Sequence, residues 1–246
     1  MKLLVGTSGW QYGDWREVLY DRRPQREWLA VYAREFPTVE VNNAFYRLPE
    51  RSVFVRWREQ TPDGFVIAVK VSRYLTHIRR LRDPEEPVSR LTERAAGLED
   101  RLGPYLLQLP PNLRADPGRL DACLRAFPRS ARVAVEPRHE TWWSDEVRAV
   151  LERRGAALCW ADRRNRPVTP LWVTADWGYV RFHEGSASPP PSYGRAALAS
   201  WLDRVADAWP GRGAEVFVYF NNDPGGAAVR NGRTLRRQAR RRSLGV

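Results

Sequence analysis

Lysine is almost missing from this 246-residue chain: Lys2 and Lys70 are the only two, and every other basic residue is arginine. Cysteine is equally scarce, with Cys123 and Cys159 alone. Two cysteines in no metal or redox spacing exclude a disulfide framework and suit a reducing compartment. No apolar run approaches the roughly 18 residues of a membrane span. The three apolar residues before Gly6 are too few for a signal peptide. A cytoplasmic protein with no membrane partner is therefore expected. No Gly-x-Gly-x-x-Gly follows the first strand-like run, which argues against a dinucleotide fold.

What is present is charge and apolar bulk. The net charge is +12, and 43% of residues are hydrophobic, enough for a substantial core. Arginine in place of lysine, with many alanines and prolines, is also what a GC-rich coding bias produces. Such a bias does not explain 41 basic residues against 29 acidic ones. The excess suits nucleic acid or another polyanion. Lys70 stands out against this background. An ammonium can lose its proton when desolvated, whereas a guanidinium effectively cannot.

Eight strand-like runs begin near Leu3, Thr38, Phe65, Tyr105, Arg132, Ala156, Gly178 and Glu215. Most are apolar without alternation, as parallel strands buried on both faces are. Helical patterns lie between them: Arg26 to Phe36, Ser52 to Gln60, Val88 to Leu102, Asp116 to Phe127, Ser144 to Arg154 and Arg195 to Trp209. The alternation predicts one α/β domain over residues 1–246, a (β/α)8 TIM barrel. Irregular segments are expected between strands six and eight. Asn165 to Pro170 breaks any helix there, and Glu184 to Tyr193 reads as a lid or a passive surface loop. Residues 230–246 form a basic C-terminal helix or tail whose seven arginines cover nearly every face, fit for phosphates or for solvent.

Barrel enzymes draw their reactive groups from strand C-termini. Collected there, Glu40, Lys70, Glu136 and His183 are the candidate catalytic residues. Glu40 or Glu136 would be the base, and Lys70 or His183 the acid or electrophile. Glu40 ends an apolar strand and needs a partner, for which Lys70 on the next strand is the candidate. Trp10, Asn42, Tyr46, Gln108, His139, Asp162 and Asn221 are candidate ligand-binding residues. Arg138 and Arg181 suit phosphate or carboxylate. Asn222, Gly225 and Gly226 open a helix where barrels often cradle phosphate. Rim aromatics beside arginines can stack on bases or sugars, or merely plug the barrel mouth. No His-x-x-x-His spacing occurs, so a divalent metal is not favoured and no cofactor is named.

These same stretches resemble the family called domain of unknown function 72. The resemblance is carried by Gly6-Thr-Ser-Gly-Trp10 with Tyr12 and Trp15, and by Val39-Glu-Val-Asn42 with Phe45-Tyr-Arg-Leu-Pro49. Lys70 with Thr76-His77, Gln108-Leu-Pro-Pro111, Glu136-x-Arg138-His139 with Trp142, Tyr179-Val-Arg-Phe-His183 and Tyr219-Phe-Asn-Asn-Asp223 complete it. It runs from residue 6 to about residue 235 and implies a TIM barrel whose activity is not established. Two departures are Glu184 after His183, where glycine is usual, and Gly232 after Asn231, where alanine is usual. The second should weaken the last helix by about 1 kcal/mol.

Three functions fit. One is a hydrolase or isomerase acting on a phosphate-bearing ligand such as a nucleotide, nucleic-acid end or sugar phosphate. The others are a non-catalytic nucleic-acid-binding protein and a metabolite-binding sensor or partner protein. Under the first, Glu40→Gln is expected to abolish turnover and leave the fold intact.

Overall fold

The computed structural model describes residues 1–211 and 213–245. Eight strands recur: β1 (Lys2–Ser8), β2 (Thr38–Val41), β3 (Val66–Lys70), β4 (Leu102–Gln108), β5 (Val133–Glu136), β6 (Ala157–Arg163), β7 (Gly178–Glu184) and β8 (Glu215–Phe220). Between and after them run α1 (Trp28–Glu35), α2 (Arg51–Glu59), α3 (Glu85–Ala95), α4 (Pro117–Ala126), α5 (Asp145–Arg154), α6 (Arg195–Ala208) and α7 (Ala227–Arg241). The chain divides into two compact units.

The first unit comprises Met1–Glu40, Trp160–Val168 and Asp176–Val246. Here β1 pairs in parallel with β2 and with β8, and β8 pairs in parallel with β7. The register sets Ser8 beside Glu40 and Arg181 beside Tyr219. Leu3, Leu4 and Val5 are all buried, as their unbroken apolar run requires. The backbones of β1 and β2 come so close at Gly6 that a Cβ there would lie 2.0 Å from the Thr38 carbonyl oxygen. A two-residue strand, Arg166–Pro167, folds back antiparallel on the end of β6.

The second unit comprises Val41–Cys159 and Thr169–Ala175. It carries the parallel order β3–β4–β5–β6, with Lys70 opposite Leu106 and Gln108 opposite Glu136. Its helices have readable ends. Asp116 accepts the Arg119 amide at 2.9 Å to cap α4, Ser144 caps α5, and Gly155 closes α5 at φ 60°. Both cysteines are buried.

Three sequence expectations need correction. The helix expected over Val88 to Leu102 stops at Ala95; a 3-10 stretch continues to Arg101, Glu99 turns at φ 49°, and Leu102 is already strand. Leu102 has the right spacing for the helix face, but Gly103 and Pro104 cannot extend it. The C-terminal arginines do not form a uniformly solvated tail. Val229, Gly232, Leu235 and Ala239 make a buried stripe on α7. Arg233 pairs with Glu35 at 3.2 Å, Arg242 pairs with Asp203, and Arg236 donates to the Glu35 carbonyl. Gly232 is no simple weakness either: a Cβ there would lie 2.8 Å from the Phe36 ring. The helix needs glycine to approach Phe36.

Candidate functional site

In the first unit, the ends of β1, β2 and β7 assemble a buried polar cluster. Glu40 is 0% exposed and Arg181 1%. One oxygen of Glu40 accepts Arg181 Nη2 at 2.8 Å and the Ser8 hydroxyl; the other accepts the Tyr179 hydroxyl at 2.7 Å. Arg181 Nη2 also donates to Ser8 Oγ at 3.0 Å. Burial, then the Glu40 charge, pushes the Tyr179 phenol well above its usual value, so it stays a donor. Glu40 thus has three donors in this unit, which suits holding Arg181 rather than abstracting a proton.

Beside this cluster lies Asp223, which was not among the sequence-derived candidate residues. Burial pushes its carboxyl from 3.8 up to about 7, against the opposing Tyr12 hydrogen bond and Arg181 charge. The Tyr12 hydroxyl donates to the Ser8 carbonyl at 2.5 Å, and the Trp15 indole holds the Asp223 carbonyl at 3.1 Å. The signal available in sequence was an Asp two residues past a strand-end Asn; its burial was invisible there.

The other sequence candidates of this unit have local partners. Asp162 accepts Tyr193 Oη at 2.7 Å and Trp201 Nε1 at 2.9 Å, which ties the 184–193 loop and α6 to β6. Asn222 donates to the Pro191 carbonyl and to Asn231, whose own amide bonds the Tyr193 backbone. The 184–193 loop is therefore pinned to α7. His183 Nδ1 lies 3.2 Å from the Asn221 amide. Trp10 is buried and its carbonyl accepts the Tyr20 hydroxyl. Gly225 N–H donates to the Asp14 carboxylate at 2.8 Å. The amide expected to cradle phosphate already holds an anion of the chain. Gly226 is buried and takes φ 71° before α7.

In the second unit, Gln108 Nε2 donates to Glu136 Oε2 at 2.9 Å, and Arg138 Nη2 lies 3.5 Å from Glu136 Oε1. Glu136 is 1% exposed, whereas Arg138 is exposed. Lys70 Nζ sits 4.2 Å from the Phe45 ring centre, and His77 meets the same ring edge-on. Burial, and then the charges of Lys70, Arg73 and Arg138, hold the His77 imidazole below its usual value. His139 is engaged locally: its Nδ1 accepts the Thr141 amide at 3.2 Å and caps a short helix. Asn42 directs a buried Oδ1 that has no hydrogen-bond partner among the described residues. Tyr46 is 76% exposed, while Trp142 is buried with its indole on the Leu113 carbonyl. Arg73 was not among the sequence-derived site residues, and His77, which follows the third apolar run, read as a rim residue that orders a loop. The signal for Arg73 was a basic stretch, Arg73 to Arg82, that follows β3.

Among the described residues no three His, Cys, Asp or Glu side chains gather in a metal-holding group, and no helix is long and apolar enough to cross a membrane.

Residues 4–245 match the family described as Protein of unknown function DUF72. The chain belongs to the DUF72 family. It is similar to the UPF0759 protein YecE of Escherichia coli strain K12, at 32% identity over 145 residues, or 58% of this chain. That match spans 50% of the YecE chain, so this protein covers about half the length of that relative. UPF0759 protein YunF of Bacillus subtilis is 23% identical over 95% of this chain and 93% of its own. Among solved structures, a DUF72 family protein of Thermotoga maritima superimposes with a TM-score of 0.84 at 25% identity, covering 98% of this chain and all of its own. One from Enterococcus faecalis gives 0.81 at 20% identity, covering 97% and 95% of the two chains. This DUF72 protein accordingly has the expected fold, a closed eight-stranded parallel barrel with helices.

Proposed function

We propose that this DUF72 protein binds a phosphate-bearing ligand at the strand ends of its second unit. The observation that carries this reading is the meeting of Lys70 and His77 at the Phe45 ring, where the charges of Lys70, Arg73 and Arg138 all bear on the imidazole. These charges disfavour a protonated imidazole, and an anion bound beside it opposes that effect. Arg138 has only a 3.5 Å contact to Glu136 and is exposed, so it can swing onto a ligand oxygen. The Arg181–Glu40 cluster is a poorer anion site, because its guanidinium is buried and already neutralised.

The test is an NMR titration of the His77 imidazole, identified by its loss in His77→Asn. Pyrophosphate should raise its pKa, since a bound anion cancels the neighbouring charges. Lys70→Met and Arg138→Gln should each weaken pyrophosphate binding by about tenfold or more, the range of a charged hydrogen bond. A His77 titration that pyrophosphate leaves unmoved overturns the reading.

A further inference from the structure

The second unit also exposes aromatic surface. Tyr46 is 76% exposed, Ile78 62% and Tyr74 37%. Two cavities, of about 610 and 340 Å³, are both bounded by Tyr46 and Leu48. Arg47 lines the larger, and Arg73, Tyr74 and Arg90 line the smaller. Arg47 and Arg73 are exposed and form no ion pair with a carboxylate among the described residues. The acidic side chain on this lining, Glu50, is engaged by Arg94 at 2.9 Å. Arg79 stacks 5.4 Å from the Tyr74 ring centre and donates to its hydroxyl at 3.0 Å, which fixes the ring.

We propose that this surface binds single-stranded nucleic acid, with bases stacked on Tyr46 and Tyr74 and phosphates on Arg47 and Arg73. The proposal rests on the phosphate reading above and names its ligand class. Exposed rings offer faces on which flat apolar groups stack, and the Arg47 and Arg73 guanidinium groups suit a repeated anion. An unpaired strand supplies both, since every base has a face for stacking. A duplex keeps its bases stacked internally, and an acidic peptide offers charge without rings.

The experiment is fluorescence anisotropy of the whole chain with a labelled oligothymidylate of about 15 nucleotides, at about 50 mM salt. Saturable binding is expected, weaker for the matched duplex and not displaced by polyglutamate. Tyr46→Ala and Tyr74→Ala should each weaken it about tenfold. Arg47→Gln and Arg73→Gln should each flatten the salt dependence by about 0.7 in log–log slope. These side chains are exposed, and unchanged melting temperatures would show the variants folded. The proposal is overturned by absent binding, by binding indifferent to both tyrosines, or by displacement with polyglutamate. If oligonucleotide fails to bind while pyrophosphate still shifts His77, the surface assignment falls and the phosphate site stands. Tyrosine-dependent oligonucleotide binding without the His77 response overturns only the phosphate site.

Discussion

Replacing Glu40 by glutamine would leave a guanidinium that is 1% exposed without its carboxylate. Breaking such a pair from one side costs about 3–5 kcal/mol. Chemical denaturation should therefore show Glu40→Gln strongly destabilised, which corrects the expectation that it leaves the fold intact; a loss under about 1 kcal/mol would contradict the assigned role. Asp223 gives a second residue-scale prediction. Its carboxyl holds a proton up to about pH 7 in the fold and only to about 3.8 when unfolded. The folded state binds the proton more tightly, so stability falls as pH rises between those values and the full cost is present above about 7. Three pH units at roughly 1.4 kcal/mol each set an upper limit of about 4 kcal/mol. Asp223→Asn should raise the melting temperature at about pH 8.5 and change it little near pH 4; an equal shift at both would reject the assignment. Sequence reading found Glu40 and Arg181 because both stand at the ends of apolar runs. It could not pair them, because 141 residues separate them in the chain. Asp162 was equally conspicuous, and its tyrosine and tryptophan partners, which come from distant elements, were equally invisible in the sequence.

The helix α7 shows where periodicity informs and where composition misleads. Seven arginines in the segment 230–242 suggested a solvated or phosphate-binding tail. The apolar stripe was present but thin, and two of its members are alanine and glycine, which carry little hydropathy. At Gly232 two effects compete. Alanine improves helix propensity by about 1 kcal/mol. The added methyl, 2.8 Å from Phe36, overpacks a buried contact for about 1–3 kcal/mol. Gly232→Ala should therefore lower the melting temperature, and a rise would show that the helix can shift outward. Strand starts were legible to within about a residue in most cases, because unbroken Val, Ile, Leu and Phe runs have one interpretation in a parallel sheet. β4 was the exception, since Leu98 and Leu102 continue the preceding helix's spacing across a turn made by the backbone at Glu99.

Across the whole chain, the shortage of lysine becomes an analytical advantage. Acylation of side-chain amines can reach Lys2 and Lys70 alone. Lys2 is 58% exposed and lies far along β1 from its site end, whereas Lys70 is half-buried over Phe45. Pyrophosphate should slow acylation of Lys70 and leave Lys2 unchanged, as read by peptide mass spectrometry; equal rates for Lys70 with and without pyrophosphate would count against the phosphate site. The barrel itself was readable from alternation and length, while the placement of charge was not, because net charge says nothing of which arginines already have carboxylates. The two cysteines lead elsewhere. Both are buried, and burial pushes the Cys123 thiol up to about 12. A thiol reagent at neutral pH therefore meets two sulfurs that become reactive only as the chain opens. Their rate of modification is a built-in clock for that opening, available without introducing a single label.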